Sequence, residues 1–132
     1  MKTKKAFTML ELMICVIISG IFVVLFFIQQ RNIDAMKRDE RRKTAINAMY
    51  YALEEGYYAQ KGYYPERIES PETLPWIDPN LFTDTNGYNI WAKGVDCEYV
   101  YEPANCENGQ CQEYVLRSRM EKEEEFVKNS RN

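Results

Sequence analysis

Histidine is missing from this 132-residue sequence, and so are the local patterns on which many enzyme sites are built. Without histidine the chain lacks the commonest general base at neutral pH and a frequent zinc ligand. It also has no Ser-x-x-Lys pair, no glycine-rich phosphate loop and no pair of carboxylates that spacing alone identifies as catalytic. We therefore expect neither enzymatic activity nor a cofactor.

An excess of basic residues is missing too. Lysine and arginine total 17 against 20 aspartates and glutamates, which gives a net charge of −3. A nucleic-acid-binding protein usually carries the opposite sign, because lysine and arginine neutralise the phosphate backbone. No internal repeat is visible, and the length allows one small domain at most. We expect no direct nucleic-acid partner.

One long apolar run near the start of the chain is its most informative feature. Between Phe7 and Ile28 the only charged side chain is Glu11. At the helical rise per residue this stretch reaches roughly 33 Å, enough to cross a bilayer. A cleaved secretory signal is the alternative, but its apolar part is usually shorter and is followed by a small-residue cleavage site, which residues 29–32 do not supply. We predict a transmembrane helix.

The residues around the start of this run form a recognisable pattern. A short leader with three lysines ends in a small residue, Ala6, which is followed by Phe7, the hydroxylated Thr8 and, in a Leu-Glu-Leu core, Glu11. This pattern resembles the N-terminus of type IV pilins and the related pseudopilins. The resemblance implies that a prepilin peptidase cuts between Ala6 and Phe7 and that the new Phe7 amine is methylated. Glycine is commoner than alanine before the cut.

The resemblance also implies roles for two residues inside the apolar run. Glu11 is implied to pair with the Phe7 amine of a neighbouring subunit and to guide filament assembly, since a carboxylate in an apolar segment normally needs a partner. The alternative is that Glu11 reaches headgroup water. Gly20 matches a position where pilin helices loosen in filaments, although Ile28 replaces the proline that many pilins carry eight residues later. The alternative for Gly20 is close helix packing.

A helical pattern continues over residues 29–59. Residues 31–43 are nearly all polar, as in a helix that faces solvent or another subunit. Beyond them, apolar residues recur at three- and four-residue spacing and form one stripe that a globular head can cover. The stripe consists of Ile46, Met49, Tyr50, Leu53 and Tyr57. We expect Gly62 and Pro65 to end the helix.

Basic residues close to the membrane bear on the orientation of the chain. More of them follow the apolar run than precede it, so the positive-inside rule alone would place the C-terminal part in the cytoplasm. The implied cytoplasmic leader and a cysteine pattern suited to an oxidising compartment favour the opposite orientation. We expect a single-pass protein of the cytoplasmic (inner) membrane with an extracytoplasmic head, found later in a surface pilus or pseudopilus.

The C-terminal half is expected to form loops and then strands. Residues 61–94 contain four prolines and several turn-forming residues, so we expect little regular structure before residue 95. Alternating patterns predict strands over Cys97–Glu102 and Gln112–Met120. Apolar loop side chains are expected to hold the loop against the helix stripe: Trp76, Ile77, Leu81, Phe82, Tyr88, Ile90 and Trp91.

The two strands meet in a turn that bears on the cysteines. A two-residue turn at Asn108 and Gly109 would place Cys106 opposite Cys111, where a disulfide is possible. We prefer this disulfide to a pairing with Cys97, and to the alternatives of reduced thiols or a metal site. Zinc is the least favoured, because the spacing of these cysteines is wider than that of structural zinc modules.

Two further segments have simple interpretations. The acidic turn around Asp78, Asp84 and Asn86 contains possible calcium ligands, but the EF-hand spacing is missing and we expect no metal. The charged residues 121–132 are expected to form a solvated, frayed tail.

Together these features predict an α+β fold, a long N-terminal helix with a small antiparallel sheet packed on its second half. The expected segments are a cleaved leader at 1–6, a membrane helix at 7–28, an extracytoplasmic helix at 29–59, a head at 60–120 and a charged tail at 121–132.

The resemblance implies a structural pilin that, once processed by the prepilin peptidase, polymerises with copies of itself and other pilins through the pilus assembly machinery. The alternatives are a pseudopilin of a type II secretion or DNA-uptake system and, from another class, a non-polymerising single-pass membrane protein that binds a partner.

Overall fold

The structure, a computed structural model, describes residues 7–131, and these residues form two compact units, 7–35 and 36–131. The α-helix α1 spans Met9–Tyr51, a π-helix follows at Ala52–Tyr58, and one more α-helical turn, α2, covers Ala59–Lys61. In the part of the chain that the structure describes, this is the one helix long and apolar enough to cross a membrane.

The end of the helix is set by a glycine, as the sequence predicts. Gly62 has φ +75°, a left-handed conformation in which side chains other than that of glycine are strained. Its N–H donates to the carbonyl of Tyr58 at 2.7 Å and so satisfies one of the last helical carbonyls. The chain turns back there and enters the first strand, β1, at Tyr64–Pro65.

The second unit contains a four-stranded antiparallel sheet, which confirms the predicted α+β fold. Besides β1, its strands are β2 (Tyr99–Glu107), β3 (Gln110–Ser118) and β4 (Phe126–Asn129). Strand β3 is central: β2 pairs with it along one edge, while β1 and β4 pair with the start and the end of its other edge. Irregular chain and two short 3₁₀ helices, Pro71–Thr73 and Pro79–Phe82, fill most of the predicted loop.

Two details of this sheet differ from the sequence prediction. The hairpin strands extend to the turn itself, because the Asn108-Gly109 turn keeps their pairing in register up to Glu107 and Gln110. The expectation of a frayed tail is wrong, since Phe126–Asn129 pairs with β3. A four-residue strand among charged residues has too little alternation to be recognised from sequence.

The core of the second unit confirms the predicted helix stripe. Ile46, Met49 and Leu53 are fully buried and pack with loop and sheet residues, the largest of which are Tyr64, Phe82, Tyr99 and Tyr114. Of the loop residues expected to hold the loop in place, Phe82 is buried and four others are partly buried against the core. Trp76 is 49% exposed but lies against Gly56 of the helix, as expected, whereas Tyr88 is 42% exposed and is not among the residues packed on the core.

Candidate functional site

The N-terminal end of α1 contains a pair of residues that cap each other. Glu11 N–H donates to Thr8 Oγ1 at 3.3 Å, and Thr8 N–H donates to Glu11 Oε2 at 3.2 Å. This reciprocal arrangement is a capping box, which satisfies backbone N–H groups that the first helical turn leaves without partners. Glu11 therefore has an intrachain role that the sequence analysis missed. The signal was present, since Thr-x-x-Glu at a helix start is the usual capping-box pattern.

The capping box uses one oxygen of the Glu11 carboxylate, and the assembly role of this residue stays a prediction. Among the described residues only Oε2 of its carboxylate accepts hydrogen bonds. Phe7, the predicted partner in a neighbouring copy, is 74% exposed. The predicted cleavage after Ala6 lies outside the described residues.

The membrane-type helix exposes nearly all of its apolar side chains. From Phe7 to Ile28 the large apolar residues are between 47% exposed, as at Ile14, and 86% exposed, as at Met9. A Cβ added at Gly20 would meet nothing within 4 Å, so this glycine makes no close contact within its own chain. So much contiguous apolar surface needs lipid or other apolar helices around it.

Farther along the chain, Arg42 is the centre of a buried group of charges. Its side chain is 3% exposed, and Nη1 donates to Asp39 Oδ1 at 2.6 Å. Nη2 and Nε donate to the two carboxylate oxygens of Glu98 at 2.5 and 3.0 Å, and Nη2 also donates to Thr85 Oγ1 at 2.9 Å. We call Asp39, Arg42, Glu98 and Glu121 the ionic cluster.

Glu121 connects the C-terminal segment to the ionic cluster. Its backbone N–H and that of Lys122 each donate to the Asp39 carboxylate at 2.9 Å. Its own carboxylate accepts hydrogen bonds from Arg38 at 2.6 and 2.7 Å and lies 3.0 Å from Arg42 Nη1. The cluster thus joins the helix, the loop before β2 and the segment after β3.

The carboxyl groups of the cluster are held in their ionised form. Burial by itself raises the pKa of Asp39 and of Glu98, but hydrogen bonds outweigh it and lower both, through two backbone N–H groups at Asp39 and through Arg42 at Glu98. For Glu121 the hydrogen bond from Arg38 is the main cause, and it lowers the pKa from 4.5 to about 2. Hydrogen bonds between these ionised carboxylates and one guanidinium are strong, so the cluster holds the helix, the loop before β2 and the segment after β3 together.

A second buried carboxylate, Glu54, lies in the π-helix. Its Oε2 accepts a hydrogen bond from the Tyr64 hydroxyl at 2.9 Å. Its Oε1 accepts from the Tyr114 hydroxyl at 2.8 Å and from the Arg131 backbone N–H at 3.1 Å. Burial, together with the bond to Glu54, raises the pKa of Tyr114, so this hydroxyl keeps its proton. Sequence analysis missed this site, whose one signal was a glutamate directly after the apolar Leu53.

The acidic turn that contains possible calcium ligands has a different role in the structure. Asp84 Oδ1 accepts from the backbone N–H groups of Asn86 and Tyr88 at 2.9 and 2.8 Å, and Oδ2 accepts from that of Glu98 at 3.0 Å. Asp78 caps the second 3₁₀ helix by accepting from Asn80 N–H. Within residues 7–131 no group of three or more acidic or cysteine side chains is placed to hold a metal ion.

The cysteines adopt the preferred pairing. Cys106 and Cys111 form a disulfide across the β2–β3 hairpin, next to the turn in which Asn108 and Gly109 both have positive φ. Cys97 and Cys15 are free thiols. Burial raises the pKa of the Cys97 thiol to about 11, so Cys97 is a poor nucleophile at neutral pH.

The comparisons with known proteins agree with the N-terminal pattern. Residues 1–27 match the family model of the prokaryotic N-terminal methylation motif, the class III signal of type IV pilins and pseudopilins. No curated protein and no solved structure matches the chain. The motif confirms the resemblance, indicates a structural protein and, with the apolar helix, fits a membrane anchor. Over residues 1–27 the chain is thus similar to the precursors of type IV pilins and pseudopilins, and this signal stands at the start of an exposed apolar helix.

Proposed function

We propose that this protein is a structural subunit of a type IV pilus, processed between Ala6 and Phe7 and polymerised into a helical filament. The observation that carries the proposal is the combination, on one helix, of the methylation motif and an apolar surface that no part of the described chain covers. In the membrane, lipid surrounds that surface. In a filament, the same helices of neighbouring copies replace the lipid.

Contacts between neighbouring apolar helices explain why the subunits would form an open fibre. A helix that packs against copies displaced along its axis uses one patch toward the copy ahead of it and a different patch toward the copy behind it. Such heterologous contacts produce open fibres when the rotation between copies does not close a ring. Small residues such as Gly20, whose Cβ position is unobstructed, let helices approach closely.

In the assembled state, Glu11 pairs with the methylated Phe7 amine of the adjacent copy. The capping box fixes Oε2 against Thr8 and leaves Oε1 for this partner. A carboxylate and an amine that both lie in an apolar surrounding attract each other strongly, because little water screens them. The pair sets the register of one helix on the next.

Mass spectrometry of the intact protein and of its N-terminal peptide, purified from native membranes or sheared surface material, tests this proposal. We expect a chain that begins at a methylated Phe7 and is recovered with filaments. A chain that still begins at Met1 would contradict the proposal and favour a non-polymerising single-pass membrane protein.

Substitution of Glu11 tests the assembly step separately. Glu11→Ala should leave membrane insertion and cleavage intact while strongly reducing incorporation into filaments, and Asp34→Ala is the matched control in the polar part of the helix. Normal filaments from the Glu11 variant would remove its proposed role.

The pseudopilin alternative shares the motif and the membrane helix, because both classes carry the class III signal. Electron microscopy of native cells separates the two. Long surface filaments labelled by an antibody to the head support a pilin, whereas short structures confined to the cell envelope support a pseudopilin.

A further inference from the structure

A groove with exposed aromatic and acidic walls lies along the helix of the second unit. It has a volume of about 410 Å³, and Tyr51, Ala52, Glu55 and Trp76 are among the residues that line it. Gly56 forms part of its floor, where an added Cβ would lie only 2.6 Å from the Trp76 ring. The tryptophan therefore lies directly on the helix backbone and still leaves half of its surface open.

The chemistry of the groove fits a cationic side chain. Trp76 and Tyr51 are 49% and 51% exposed, and aromatic faces attract lysine and arginine. The carboxylate of Glu55 is 64% exposed and has one loose ion pair, 3.4 Å from Arg131 Nη2. An anionic lipid headgroup is a poor occupant because Glu55 repels it.

The same helix face carries two exposed basic side chains nearer the N-terminal end of the helix. Residues three or four positions apart lie above one another on a helix and form one stripe. On this face the stripe consists of Lys37, Arg41, Thr44, Ala48, Tyr51 and Glu55. Lys37 and Arg41 are exposed, and neither forms an ion pair with any residue of the 7–131 range.

Basic and acidic residues are also unevenly distributed along the chain. Residues 29–43 contain six basic and three acidic side chains, whereas residues 44–132 contain eight basic and sixteen acidic ones. Copies displaced along the helix axis can therefore bring the basic stretch of one against the acidic head of another. Arg41 and Glu55 are fourteen positions apart. A copy displaced by roughly 20 Å along the helix axis therefore brings its Arg41 level with Glu55 of its neighbour.

We propose that the groove formed by Tyr51, Glu55, Gly56 and Trp76 binds Lys37 and Arg41 of a neighbouring copy of this chain in the filament. This inference rests on the proposed function and adds to it a specific contact between the second units of two copies. Every subunit carries both halves of the contact, and the two halves are different patches, as a repeating heterologous interface requires. Because both patches lie on one helix face, neighbouring copies must turn these faces toward each other.

Cysteine cross-linking in native filaments tests the contact. In a background with Cys15→Ala and Cys97→Ser, which removes both free thiols, the double variant Arg41→Cys with Glu55→Cys, treated with a short bismaleimide, should give a ladder of dimers and higher species. The two single variants should not give a ladder. The matched control pairs Arg41→Cys with Glu113→Cys, because Glu113 is an exposed carboxylate on β3, outside the groove.

Charge reversal provides a second test that does not need the cysteines. Glu55→Lys should reduce filament yield roughly fivefold or more, as expected for the loss of one cation–aromatic contact and one ion pair. Combining it with Lys37→Glu and Arg41→Glu should restore the yield. Thermal unfolding of each full-length variant in detergent separates this effect from damage to the fold.

The outcomes distinguish this inference from the proposed function. Filaments that form normally with Glu55→Lys, or that form with the double cysteine variant and give no ladder, overturn the groove contact and leave the pilin proposal intact. Absence of filaments and of a methylated Phe7 in the unsubstituted protein contradicts the proposed function and this inference with it.

Discussion

The guanidinium of Arg42 binds both carboxylate oxygens of Glu98, with Nη2 at 2.5 Å and Nε at 3.0 Å. The two residues are 56 positions apart in the chain, and both are buried. Such a two-bond fork fixes the orientation of both side chains as well as their distance. It therefore fixes where the segment that enters β2 meets the helix.

Removal of Arg42 should strongly destabilise the head. In Arg42→Met, Asp39 and Glu98 remain buried without their cation, and we expect the free energy of unfolding to fall by about 3–5 kcal/mol. Denaturant unfolding of the full-length protein in detergent measures this. Lys37→Met, an exposed position on the same helix, is the control and should change stability by less than about 0.5 kcal/mol. A small effect at Arg42 would show that the cluster contributes little to stability.

Acid should weaken the same cluster. The pKa values of Asp39, Glu98 and Glu121 are lowered in the folded protein, so their contribution is present above the ordinary carboxyl pKa and is lost as the pH falls through the folded values. For Glu121 this window runs from pH 4.5 down to about 2. Unfolding midpoints measured over this range should fall. In Glu121→Gln the fall should be shallower, and an identical slope would contradict the assignment.

Loss of Glu54 should remove a charged acceptor from two buried tyrosine hydroxyls. Glu54→Ala removes the carboxylate that accepts hydrogen bonds from Tyr64 and Tyr114. We expect a loss of about 3 kcal/mol in the free energy of unfolding, because a hydrogen bond to a charged group contributes about 1.5–3 kcal/mol to stability. Glu55→Ala, the exposed neighbour, should lose far less. Equal effects of the two variants would show that burial of Glu54 is unimportant.

The hairpin disulfide should protect the head from proteolysis. Cys106 and Cys111 are five residues apart, so the bond closes a short loop and should stabilise the fold by about 2 kcal/mol. Cys106→Ser should be cut faster by a protease in the β2–β3 hairpin, with Cys97→Ser as control. Titration of the denatured, unreduced protein should find two free thiols, those of Cys15 and Cys97. Four free thiols would contradict the disulfide.

Part of this structure could be predicted from local sequence because local physics determines it. The apolar run requires a membrane or helix environment whatever the rest of the chain does. The Asn108-Gly109 turn sets the hairpin register, and that register places Cys106 opposite Cys111. Gly62 ends the helix since it is the residue able to adopt a left-handed conformation there without strain.

The partners of the charged residues could not be predicted in the same way. The spacing of Glu121 and Arg38 along the chain gives no sign that they meet, because 83 residues separate them. Strand β4 forms since the ion pairs and the edge of β3 hold a segment that by itself is too polar to be recognised as a strand. Trp76 lies on Gly56, 20 residues earlier in the chain, and is still 49% exposed, and neither fact follows from local sequence.

The sequence by itself determined the apolar anchor, the processing motif, the helix stripe and the disulfide hairpin, since each depends on residues a few positions apart. Only the tertiary structure decided which charges are buried together, where the C-terminal segment lies and which aromatic side chains remain exposed. Those outcomes depend on distant residues meeting in a low-dielectric interior, where an ion pair or a hydrogen bond is determined by position in space and not by spacing in the chain.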